Sequence, residues 1–208
     1  MPACRAIILA NGDEPRAAAA RRLDELFAER EKIATFVIAL DRDDPRADFV
    51  VGDGDSLTEE EKSALGDRFV RVNEQETNDL AKGYRFAVAR GASEIFFFGA
   101  TGKREDHAIG NIFHLLEFET ESVRVAMISD YGEFTVVRAG ETRRYLAEPG
   151  RAFSVFAPLP GTRVESTGLE WPLAGADLSR LWSGTLNRAT TDEVTLRATA
   201  PILVYSAR

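Results

Sequence analysis

Ala6-Ile7-Ile8-Leu9-Ala10-Asn11-Gly12-Asp13 is a short apolar run that stops at a polar turn, and the stretch 15–30 that follows is rich in Ala, Leu, Arg and Glu. The run reads as a buried strand. The stretch after it reads as a helix, with Asp13 or Glu14 near its cap and Pro15 in its first turn. Strand, polar turn and helix together are the repeating step of an α/β layer with a mostly parallel sheet. The step recurs along the first half. Residues 33–40 and 49–51 are the next predicted strands, each ending abruptly in acidic sequence, at Asp41 and at Gly52-Asp53-Gly54-Asp55-Ser56. Thr58 with Glu61 forms a capping box for a short helix. A fourth strand is predicted at 69–72, a helix capped by Thr77 and stopped at Gly91, a fifth strand at 95–98, a helix over 106–117 and a strand at 123–128.

Past Ser129-Asp130 the texture changes to short β-rich runs, at 134–137, 152–157, 162–166, 194–197 and 202–205. The reading is therefore α/β over 1–129 and an all-β, sandwich-like domain over 130–208. Composition bounds the function classes. The chain has 208 residues, 44% apolar and 29% charged, with a formal charge of −8, which suits a globular protein and excludes fibrous or low-complexity classes. Its single cysteine, Cys4, cannot close an internal disulfide, and no Cys/His spacing fits zinc. Net acidity with scattered basic residues argues against a nucleic-acid binder. The longest early apolar run is far shorter than a signal peptide or membrane span needs, so the expectation is cytoplasmic with no membrane partner.

Parallel α/β sheets bind ligands beyond the carboxyl ends of their strands, which puts weight on the polar loops there. Asp53 and Asp55 are two residues apart, so on an extended backbone their carboxylates point the same way and repel unless a cation joins them. A hard divalent ion such as Mg²⁺ takes one or two carboxylates and completes its shell with water and phosphate. Gly99-Ala100-Thr101-Gly102-Lys103-Arg104-Glu105-Asp106-His107 links a hydrophobic strand to a helix start, where backbone amides favour an anion. It is not a Walker A motif, because Phe97 and Arg104 stand where that motif needs Gly and Ser/Thr.

Four blocks in order carry a resemblance. They are Ile8-Leu9-Ala10-Asn11-Gly12, Gly52-Asp53-Gly54-Asp55-Ser56, Glu76-Thr77-Asn78-Asp79-Leu80-Ala81-Lys82, and the 99–107 loop with Asn111. Together they resemble thiamine pyrophosphokinase, and Gly168-Leu169-Glu170-Trp171-Pro172-Leu173 with Gly184-Thr185-Leu186-Asn187 extends the likeness into the second half. The resemblance implies transfer of the pyrophosphoryl group of ATP to the hydroxyl of thiamine, by a homodimer whose active sites lie where domains of two subunits meet. It implies that Asp53, Asp55 and Asp79 serve Mg²⁺ and the phosphate centre, with Asp79 a candidate to orient or deprotonate the alcohol. Asn11, Asp41, Gly99, Thr101, Gly102, Lys103, Arg104, Asp106 and His107 would serve ATP, and Thr185, Asn187 and Trp171 thiamine. The chain departs from the family where 41–48 is shortened, where Gly102-Lys103-Arg104 replaces Gly-Gly-Arg, and where Leu186-Asn187 replaces Ser-Asn. Two other readings stay open: a non-catalytic nucleotide- or thiamine-binding homologue, and an ADP-releasing kinase of another small alcohol.

Overall fold

In the computed structural model, which describes residues 4–208, the first predicted step is present: strand β1 (Cys4–Leu9) is followed by helix α1 (Ala17–Ala28). Ala19, Leu23 and Leu26 recur at helical spacing and are buried, which fixes the face that α1 turns to the sheet. Burying each leucine is worth about 2 kcal/mol. The start of α1 differs from expectation. Neither Asp13 nor Glu14 caps it, and Pro15 lies outside it. Asp130 caps it instead, its two carboxylate oxygens accepting the backbone N–H groups of Arg16 and Ala19, each at 3.0 Å. A carboxylate there also complements the positive end of the helix dipole.

The alternation continues through β2 (Ala34–Leu40), β3 (Phe49–Gly52), α2 (Glu59–Leu65), β4 (Phe69–Arg71), α3 (Asp79–Ala89), β5 (Glu94–Phe98), α4 (Glu105–Phe118) and β6 (Arg124–Ile128). Thr58 and Glu61 form the expected capping box on α2. On α3 the cap is Asn78, not Thr77: its side chain accepts from Ala81 N, while the Thr77 hydroxyl donates to Glu74. Asn wins because it sits one residue closer to the first helical turn.

By contact the chain divides into two compact units, 1–114 with 120–130, and 115–119 with 131–208. In the first, five parallel pairings give the strand order β6-β5-β1-β2-β3-β4. The order reverses direction at β1. Strands β2 to β4 extend to one side of it and β5 and β6 to the other, so the loops after β1 and β5 flank the crevice where such sheets receive ligands.

The second unit is antiparallel. One set of strands runs β11 (Asn187–Arg188), β9 (Ala152–Phe156), β13 (Ile202–Ala207), β7 (Gly132–Val137), and the other runs β10 (Val164–Thr167), β12 (Glu193–Ala198), β8 (Thr142–Leu146). Phe153, Val155 and Val204 of the first set and Val164, Val194 and Leu196 of the second share one buried core, so the two sets pack as a sandwich. The fold class is thus the expected one, α/β with a mainly parallel sheet followed by an antiparallel β region.

Candidate functional site

The loops after β1 and β5 are joined backbone to backbone. Gly12 N donates to Gly99 O at 2.6 Å and Asp13 N to Thr101 O at 2.9 Å. A side chain on Gly12 would overlap the carbonyl oxygens of both Gly99 and Thr101, so only glycine allows this approach. Beside the joined loops lies a cavity of about 520 Å³, within the range of small-ligand sites. Its wall includes Asn11, Asp41, Asp53, Asp79, Gly99, Gly102, Lys103, Arg104 and His107. Thr101 and Asp106 do not line it: Thr101 ties the two loops together, and Asp106 holds the exposed Arg104 guanidinium at 2.6 Å. That hydrogen bond pulls the Asp106 carboxyl down to about 2.

Asp41 is buried at the end of β2 with φ +48°, a left-handed backbone that Asp tolerates better than most residues. Its Oδ1 accepts the N–H of Gly54 at 2.9 Å. It therefore pins the 52–56 loop from below, and a Cβ on Gly52 would stand 2.7 Å from the same oxygen. The shortened 41–48 connection is closed by charge. Buried Asp44 takes Arg46 at 2.6 Å and Arg42 at 3.3 Å, and Arg68 donates to Ala47 O.

The pinned loop presents Asp53. Its Oδ1 accepts the N–H of Asp55 at 3.0 Å and its Oδ2 accepts Gln75 Nε2 at 3.1 Å. These donors, the Asp55 amide first, hold its carboxyl below the usual carboxylate value, with Lys82 adding to the effect. Asp79 begins α3, and Lys82, three residues on and so on the same helical face, places Nζ 3.0 Å from Asp79 Oδ1 and 3.7 Å from Asp53 Oδ2. Burial works against the Lys82 charge, but Asp79 and Asp53 outweigh it, and its value rises. Asp53 and Asp79 thus come together in the cavity, whereas Asp55 is exposed and lies off its wall. Among the described residues no three His, Cys, Asp or Glu side chains gather as a metal cage. Two carboxylates in an open cavity nonetheless fit Mg²⁺, which fills its remaining positions with water and phosphate oxygens.

Asn111 lies on α4, just past the 99–107 loop. It accepts Asn78 Nδ2 at 2.9 Å and donates to Ala100 O at 2.8 Å, bracing the α3 cap against the β5 loop. In the second unit Asn187 is buried, its Oδ1 accepting Trp171 N at 3.1 Å and its Nδ2 donating to Trp171 O at 2.7 Å. Asn187 thereby fixes the backbone of the half-exposed Trp171. The Thr185 hydroxyl donates to Trp182 O within its own turn.

Two family models match the sequence: the thiamin pyrophosphokinase catalytic domain over residues 20–127 and the thiamin pyrophosphokinase substrate-binding domain over 132–205. The chain belongs to the thiamin pyrophosphokinase family. Its activity is that of the family, ATP-dependent pyrophosphoryl transfer to thiamine. No curated protein matches the sequence. Solved thiamine pyrophosphokinases share the fold: that of Bacillus subtilis at 20% identity, covering 98% of each chain with a TM-score of 0.73. The enzyme from Geobacillus thermodenitrificans is 20% identical, covering 98% of this chain and 97% of that one, with a TM-score of 0.75. The one from Candida albicans is 13% identical, covering 98% and 89%, with a TM-score of 0.75.

Within a thiamin pyrophosphokinase the replacement of Gly-Gly-Arg by Gly102-Lys103-Arg104 has a local cost. Lys103 sits at φ +59°, in the left-handed region, and its Nζ donates to Asn11 O at 2.8 Å. Holding a non-glycine residue there costs roughly 1–2 kcal/mol, and glycine gives back roughly 0.5–1 kcal/mol of that through the unfolded chain. Lys103→Gly is therefore expected to leave the unfolding temperature unchanged or slightly raised, while the KM for ATP is expected to rise about tenfold if the cation serves phosphate as the resemblance implies. Thermal unfolding and initial rates on the same preparation check both halves.

Lys82 is the residue that sequence reasoning passed over. It stands three residues after Asp79, and that spacing is the signal for it.

Proposed function

We propose that ATP is bound in the cavity of the first unit, with Mg²⁺ held by Asp53 and Asp79, and with Asp55 as a third carboxylate from the same loop. The observation that carries the reading is the convergence of Asp53 and Asp79 in a cavity also lined by Lys103 and Arg104. Carboxylates for a divalent ion and cations for phosphate are the two charge types that pyrophosphoryl transfer needs side by side.

When bound, the ion offsets charge on the phosphate oxygens. The chain's own groups do the rest. Lys103 and Arg104 contact the triphosphate, Asn11, Gly99, Thr101, Gly102, Asp106 and His107 shape or brace its loop, Asp41 pins the 52–56 loop that carries Asp53, and Asp79 accepts the proton of the thiamine hydroxyl. That oxygen forms its bond to the β-phosphorus as the bridge to the α-phosphate breaks, releasing AMP and thiamine diphosphate. No covalent enzyme intermediate is required, since alignment and charge neutralisation supply the rate. The second unit receives thiamine, with Trp171 offering an aromatic face to the thiazolium cation and Thr185 and Asn187 setting the surrounding backbone.

The reading also has the chain acting as a homodimer in the cytoplasm, on small molecules and not on nucleic acid. Among the described residues no helix is long and apolar enough to cross a membrane.

Product analysis is the test. Thiamine, ATP and Mg²⁺ should yield AMP and thiamine diphosphate in equal amounts, and EDTA should stop the reaction. ADP as the product, or nucleotide binding with no product at all, would overturn the proposal.

A further inference from the structure

Lys82 carries an ammonium on a side chain only 3% exposed, at the point where the two carboxylates of the cavity meet. A buried ammonium is tolerated only when paired, and this one has Asp79 and Asp53 as its partners. The dependence runs both ways. Asp53 is tethered by the Asp55 amide and by Gln75, Asp79 begins α3, and the two carboxylates come within 3.7 Å and 3.0 Å of the one ammonium. Without a positive charge between them they would repel.

We propose that Lys82 is a resident counter-ion: its ammonium keeps the Asp53 and Asp79 carboxylates gathered in the metal-free protein and competes with the divalent cation for them. The competition follows from the donor atoms. Lys82 Nζ lies against Asp79 Oδ1 and Asp53 Oδ2, and a metal using either oxygen must displace the ammonium or share the oxygen against its charge. Lys82 therefore weakens binding of the bare ion while preserving the geometry into which an ion already carrying a triphosphate is received. It acts through Asp53 and Asp79 and is a positioning residue. The inference rests on the metal assignment made under the proposed function.

The test compares wild type with Lys82→Met, which keeps the length of the side chain and removes the charge. Mn²⁺ is the probe, titrated by electron paramagnetic resonance in the absence of nucleotide, with thermal unfolding in EDTA and in excess Mg²⁺ as a second readout. Lys82→Met is expected to bind Mn²⁺ about tenfold more tightly than wild type. It is also expected to unfold at a lower temperature in EDTA, with most of the difference removed by Mg²⁺. Equal Mn²⁺ affinity, weaker binding by the variant, or an unfolding deficit that Mg²⁺ leaves untouched would overturn the inference alone. Absence of Mn²⁺ binding in both proteins, or binding unaltered by Asp53→Asn, would overturn the metal assignment and the inference with it. Lys82→Gln, polar and uncharged, repeats the comparison if the Met variant does not fold.

Discussion

Asp53→Asn is expected to lower kcat/KM for thiamine diphosphate formation by about three orders of magnitude, equivalent to ~4 kcal/mol of transition-state stabilisation. The fold should respond far less than the activity. Asn keeps an oxygen that can accept the Asp55 N–H, and the side chain is partly exposed beside the cavity, so no large apolar volume is lost. What changes is Oδ2, which becomes an NH₂ group facing Gln75 and Lys82, two donors, and no longer offers negative charge to a cation. A measured unfolding temperature within a few degrees of wild type, with the AMP yield collapsed, is the expected pair of results. Near-normal turnover would remove Asp53 from the metal site.

The same carboxylate sets a pH expectation. Its folded value is depressed, chiefly by the Asp55 amide and then by Gln75, so its contribution to stability is complete above the unfolded carboxylate value and disappears as pH falls through the folded one. In wild type it accordingly stays charged through mildly acidic solution.

Gly12→Ala is expected to damage activity by another route. Its methyl group would overlap two backbone carbonyls, of Gly99 and Thr101, and neither can swing away as a side chain could. The loops must part, breaking the bonds from Gly12 N and Asp13 N. Overpacking of about 1–3 kcal/mol and two weakened hydrogen bonds at roughly 1 kcal/mol each put the loss of stability at about 3–5 kcal/mol. Displacement of the 99–107 loop should cost at least a hundredfold in kcat/KM for ATP, since a shift of about 1 Å has that effect on aligned reactants. Urea unfolding and ATP-dependent rates report the two losses separately. A variant that folded and turned over like wild type would show the loops to be joined less tightly than described.

The parallel sheet was legible because its strands are apolar on both faces, and runs such as Ala6-Ile7-Ile8-Leu9-Ala10 announce themselves. Strand β8 was not. Thr142-Arg143-Arg144-Tyr145-Leu146 buries little beyond the Tyr145 ring and reads as a polar connection, and β11 is only two residues long. The cap on α1 was beyond sequence reasoning, since Asp130 lies 114 residues from Arg16. At the site, the resemblance grouped Asp53 with Asp79, but spacing alone could not, because their approach depends on how α3 packs beside β3. The burial of Lys82 was equally hidden, because an Asp and a Lys three apart on a helix ordinarily describe a solvated surface pair.

The Asp130 cap also orders events on the ribosome. Helix α1 is synthesised early, yet the carboxylate that satisfies its first amides emerges only with the end of β6, more than a hundred residues later. A nascent chain that has released five strands thus holds a frayed first helix and an unpaired β5 edge. Folding of the first unit is coupled to the completion of its own last strand, and a ribosome stalled before residue 130 would display an aggregation-prone intermediate, not a finished layer.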